Sequence, residues 1–137
     1  MNLKKFFIAF IAAFVFVFVY EWVFHGIILK DSYAQMSALM RPQAEVNFPL
    51  LIVGQLVGAF FFTMIFVRGF GSGGGVAGGF RYGVLLGLFL CGGIIISYAV
   101  QPLTSTIAIA WCIGGIIELA IAGAIVGALY KPGTAAG

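Results

Sequence analysis

Four stretches of this chain are apolar on every helical face, at about residues 6–29, 48–67, 80–100 and 105–130. A helix rises ~1.5 Å per residue, so runs of this length cover the ~30 Å hydrocarbon core of a bilayer. None shows the polar stripe of a helix that lies half in water. The pattern therefore predicts an all-α, four-helix bundle of membrane spans in a single domain, residues 1–137. The last run carries one formal charge, Glu118, close to its centre. A carboxylate at that depth costs at least ~2.5–3.5 kcal/mol on insertion scales. The other helices are expected to be arranged so that Glu118 never faces lipid.

The segments between the spans are short. Residues 30–47 form the longest polar stretch, and Ser32-x-x-Gln35 resembles a capping box. Tyr33, Met36, Ser37 and Met40 then fall on one stripe, so a short interfacial helix between spans one and two is expected, with an irregular loop as the alternative. Arg41-Pro42 ends it, because a residue before proline is pushed out of the helical region. Asn47 is placed to cap the second span, with Pro49 in its first turn. Residues 69–79, GFGSGGGVAGG, read as a flexible turn; no Lys-Ser/Thr follows to make them a phosphate cradle. Residues 101–104 are a tight connection, so spans three and four should be an antiparallel hairpin of direct neighbours. Thr104 or Ser105 can cap the last span, Lys131-Pro132 stops it, and residues 133–137 should fray.

Composition closes off the alternatives. The chain is 63% hydrophobic and 8% charged, with a mean hydropathy of +1.17, which excludes a soluble domain. Its first apolar run is long for a secretory signal and lacks an A-x-A-like site, so it reads as a retained span. The net charge of +3 does not point to nucleic acid, because the basic residues sit singly or in pairs at span ends. Lys4, Lys5, Arg68, Arg81 and Lys131 fall on one side; Lys30 and Arg41, offset by Asp31 and Glu45, fall on the other. The positive-inside rule then puts both termini in the cytoplasm, across the cell inner membrane. Cys91 and Cys112 lie within spans and read as small hydrophobes.

Candidate chemistry reduces to Glu21, His25, Gln55 and Glu118. By helix rise, Gln55 and Glu21 lie roughly 5 Å and His25 about 12 Å beyond the midplane, away from the N-terminus, with Glu118 near it. Glu21 and His25 are one helical turn apart on one face. Three readings follow. In the first, Glu118 is protonated or paired and holds helices together by donating to a backbone carbonyl or to Gln55, worth ~0.6 kcal/mol on average. In the second, Glu118 and Glu21 are the titrating groups of a small proton-coupled transporter or channel. In the third, Glu21, His25 and Glu118 ligate a metal. No nucleophile motif appears, so no enzyme is expected, and no cofactor. Tyr20, Trp22, Tyr82, Tyr98, Trp111 and Tyr130 are read as interfacial belts.

Small residues form three stripes: Gly54/Gly58, Gly79/Gly83/Gly87 and Gly123/Gly127. One copy has no evident use for all of them, so some are expected to meet other membrane subunits or a second copy. The leading expectation is thus a non-catalytic membrane subunit of a larger complex or homo-oligomer. A short four-span chain with a glutamate in its first span resembles the small multidrug transporters, which implies drug export; the loop charge bias and the second acid, Glu118, depart from that pattern. Gly78-Gly79-Phe80-Arg81-Tyr82-Gly83 is similar to the Gly-Gly…Arg-Tyr stretch of small fluoride channels, where it lies in the first span rather than the third. As a whole the chain looks most like the small four-span membrane proteins of bacteria, which implies the fold and no activity.

Overall fold

A computed structural model describes residues 1–70 and 74–131. It contains α1 (Leu3–Val23), a π-helical turn (Phe24–Ile28), α2 (Lys30–Ala34), a short 3-10 turn (Gln43–Glu45), α3 (Phe48–Gly69), α4 (Gly75–Val100) and α5 (Ser105–Leu129). Four helices are long and apolar enough to cross a membrane, the first including the π-helical turn, Leu3–Ile28. The chain is an all-α, multi-pass membrane protein. Three helix starts are capped by the preceding side chain: Asn2 accepts from the Lys5 N–H, Asn47 from Leu50 and Thr104 from Ile107. Removing such a cap costs about 1 kcal/mol. Thr104→Ala should therefore lower the unfolding free energy in mixed micelles by that amount without changing the helix content measured by circular dichroism.

α5 is the central helix. α4 packs along it as an antiparallel partner, α1 lies against both α3 and α5, and α3 meets α5 only lightly. The main core fills the half of the bundle nearest the termini, where Phe6, Ala9 and Ala13 of α1 meet Phe62 and Phe66 of α3 and Ala122 and Val126 of α5. The Tyr82 hydroxyl donates to the Phe62 carbonyl at 2.6 Å, which ties α4 to α3. A smaller core of Leu29, Met36, Leu103 and Ile107 closes the opposite side. The Asn2 backbone N–H donates to the Tyr130 hydroxyl at 3.1 Å and Lys5 Nζ to the Lys131 carbonyl at 2.8 Å, so both ends of the described chain share one side.

The α4–α5 seam is made by glycine. A Cβ added at Gly79 would stand 1.9 Å from the Gly123 carbonyl oxygen, one at Gly83 1.8 Å from that of Leu119, and one at Gly127 2.0 Å from that of Gly75. Gly87 is held as tightly, 2.7 Å from the Ile116 Cα. The two backbones touch, and only glycine permits it. Two of the three stripes are therefore used within one chain. Gly54 and Gly58 are not: nothing lies within 4 Å of a Cβ at either, nor at Gly92 or Gly93.

Three expectations are corrected. The third span begins at Gly75, inside the stretch read as a turn, because close packing on α5 outweighs the ~1 kcal/mol helix penalty of each glycine. Gly75 itself has φ +48°, a left-handed start that suits glycine. The rest of that expected turn, residues 71–73, and the expected tail from 132 onward lie outside the described residues. A helix does form between spans one and two, but it is only five residues long, and Ser32 does not cap it. The helix starts at Lys30, with the Tyr33 N–H already bonded to the Leu29 carbonyl at 2.9 Å, so Ser32 lies inside it rather than before it. Finally, of the expected belt residues only Trp22 and Tyr98 are exposed; Tyr82 and Tyr130 are buried, and Tyr20 and Trp111 are hydrogen-bonded between helices.

Candidate functional site: an acid pair with a hydrogen-bonded approach

The site begins where α1 ends. Glu21 and His25 follow each other at i and i+4, and His25 Nε2 lies 3.2 Å from Glu21 Oε2. At Phe24 the helix widens into a π-turn, with the Leu29 N–H reaching back five residues to the Phe24 carbonyl at 2.9 Å. Such turns displace side chains from the α-helical register and often occur at functional sites. Here the displaced segment carries His25, whose Nδ1 hydrogen-bonds the Tyr33 hydroxyl of α2. The two rings stack at 12° with centroids 5.8 Å apart. From α5, Trp111 Nε1 donates to the same hydroxyl at 2.7 Å. Burial pushes the Tyr33 hydroxyl above its usual range, against a smaller opposing effect of the Trp111 bond, so it remains a proton donor at neutral pH.

Glu118 sits deeper, on α5, and is only 8% exposed. Its Oε1 has no hydrogen-bond partner. The nearest acid to it is Glu21 of α1, whose side chain lies beside it. Tyr20 lies in the field of both acids, and its hydroxyl donates to the Gly114 carbonyl at 2.8 Å. Gly114 leaves room for this packing: a Cβ there would stand 2.3 Å from the Phe24 ring, so any side chain would force that ring aside. Local sequence thus sets the geometry twice, through a π-turn that aims His25 and a glycine that admits Phe24.

No protein family, characterised protein or solved structure matches the chain. Function must be argued from the site.

Of the four residues predicted from sequence, the structure brings Glu21, His25 and Glu118 into one region. Gln55 does not join them by a hydrogen bond. Its Oε1 is buried without a partner, like that of Glu118, and the expected Glu118–Gln55 bond is not formed. The expected metal set is not assembled either. Among the described residues no group of three His, Cys, Asp or Glu side chains is placed to hold a metal ion. The physical reason is at His25, whose two nitrogens are already engaged by Glu21 and Tyr33.

Sequence reasoning missed Tyr33 and Trp111 as site residues. Tyr33 read as part of an interfacial stripe and Trp111 as a belt residue. Trp111 had a usable signal, since it precedes Glu118 by two helical turns and so shares its face. Tyr33 had none: it reaches His25 across the break at Leu29, where neither helical nor strand spacing applies.

Proposed function

We propose that this chain is a small proton-coupled transporter or channel whose titrating groups are Glu118 and Glu21. The observation that carries the reading is the unpartnered Glu118 oxygen beside a second acid. A carboxyl kept to fasten helices together should have its hydrogen bonds met, as buried polar groups generally do. Glu118 instead spends its burial beside another acid, an arrangement in which one proton is readily shared and exchanged. Ionisable groups inside a span are costly and tend to persist where an ion or proton is handled. The test is reconstitution of the purified chain alone into liposomes with a pH gradient and a trapped pH dye. Gradient collapse that depends on the protein and on pH supports the reading; correctly folded protein that leaves the gradient intact overturns it.

A second reading has its own observation. Gly54 and Gly58 form a close-packing face on α3 that none of the described residues covers, which supports a non-catalytic subunit joined to another membrane chain or a second copy. The two readings are compatible, because a transporter can also oligomerise. Gly54→Leu should leave the monomer's fold intact and its stability unchanged or raised by up to about 1 kcal/mol, since Leu is the better helix former and meets no packed atoms there. Its effect should appear only as a loss of co-migrating partner in native-membrane purification, and an unchanged set of partners removes this second reading.

A further inference from the structure

We propose that Tyr33, His25 and Glu21 form a one-sided proton port that loads Glu118 from the side of the bilayer holding residues 30–47. The inference rests on the proton-coupled reading and adds a route and a direction to it. Hydrogen-bond polarity carries the argument. An indole N–H can only donate, so Trp111 occupies one lone pair of the Tyr33 oxygen. In the His25 tautomer that donates to the Glu21 carboxyl, the ring hydrogen sits on Nε2, facing Glu21. Nδ1 is then an acceptor and takes the Tyr33 O–H. The second lone pair of the Tyr33 oxygen remains for a proton arriving from water, and Tyr33 is only half-buried. Trp111 is a positioning residue in this scheme, because it points the tyrosine hydrogen at the imidazole.

The transfer balances without any co-reactant. A proton binds the Tyr33 oxygen as its own hydrogen passes to Nδ1. The resulting imidazolium releases its Nε2 hydrogen to the Glu21 carboxylate, and Glu21 hands that proton to Glu118 once Glu118 has released the one it held. One proton has entered, one O–H bond has formed at Glu118, and the imidazole must turn over before it can pass a second. Among the described residues, the core of the opposite half of the bundle holds no carboxylate or histidine. There Phe6, Ala9, Ala13, Phe66, Ala122 and Val126 are almost fully buried.

Few other ionisable groups bear on the route. From α1, Tyr20 lies in the field of both acids. From α2, Lys30 and Asp31 flank the entrance and are exposed. α5 contributes Cys112, and α3 contributes, at its far end, Arg68. α4 carries Arg81, Tyr82, Cys91 and Tyr98, with no carboxylate or histidine.

The test is a stopped-flow pH jump on the full chain in liposomes of sorted orientation. The readout is the infrared band of protonated Glu118, identified by its loss in Glu118→Gln. Tyr33→Phe should slow the rise of that band by about a hundredfold, the scale of a lost positioned proton donor, and leave its titration midpoint in place. His25→Gln, which breaks the chain at the next link, should give the same slowing from an independent site. Trp111→Phe should slow it less. Acid added on the 30–47 side should load Glu118 much faster than acid added on the side of the termini. If Glu118 titrates but both variants keep the wild-type rate, or acid from either side works equally well, the port is overturned while the proton-coupled reading stands. A Glu118 band that never titrates in the wild type overturns both.

Discussion

Gly83→Leu should separate α4 from α5 and cost more than about 3 kcal/mol, beyond the usual range for an overpacked core position. The reason lies in what the new atoms would meet. Even a methyl group at Gly83 would stand 1.8 Å from the Leu119 carbonyl oxygen, which belongs to a helix backbone and cannot rotate aside. Relief requires the two helices to part along their whole length. In lipid no hydrophobic force pulls them back, since acyl chains solvate apolar side chains as well as a neighbouring helix does. What is lost is dispersion and weak Cα–H···O contact, both of which fall steeply with distance. Gly92→Ala is the control. No atom lies within 4 Å of a Cβ there, and alanine is a better helix former, so this change should be neutral or stabilising by up to about 1 kcal/mol. Unfolding in mixed micelles measures both. Equal effects at Gly83 and Gly92 would mean that the seam is not built as described.

Glu118→Gln should reduce proton flux to the level of protein-free liposomes while the chain folds as before. The substitution keeps the shape and hydrogen-bonding capacity of the side chain and removes only its ability to bind and release a proton. Because Glu118 is buried with an unpartnered oxygen, it also weighs against stability. Glu118→Leu should accordingly stabilise the fold by about 1–3 kcal/mol, the cost of an unmet buried polar group, and be as inactive as Glu118→Gln. Gained stability with lost flux is the signature of a residue kept for its chemistry. If flux persists in Glu118→Gln, the proton is carried elsewhere and the acid pair has no part in it.

Much of the architecture could be read from the residues, for reasons that differ by element. The spans were legible because an unbroken apolar run of such length has no other stable setting, and the caps at Asn47 and Thr104 because they depend on adjacent residues alone. The start of α4 was not. Each glycine in residues 75–79 disfavours a helix locally, and only the matching glycines of α5, some fifty residues away, reverse that balance. The site divides in the same way. Residue counting gave the depth of Glu21, Gln55 and Glu118, but depth says nothing about azimuth. Gln55 lies on a helix that barely touches α5, so equal depth did not bring it to Glu118. Tyr33 joined the site through the break at Leu29 and the π-turn before it, which have no recognisable residue pattern, whereas Trp111 could have been found from its spacing to Glu118.

The way α4 is attached bears on how the protein is made. Its backbone rests almost wholly on the helix that follows it in the chain, and Tyr82 is its chief link to α3. The last two spans can therefore zip together as a hairpin while entering the bilayer, before the first two have found their places. Two separately synthesised halves, divided between Phe70 and Gly74, should then meet in the membrane and rebuild the intact protein.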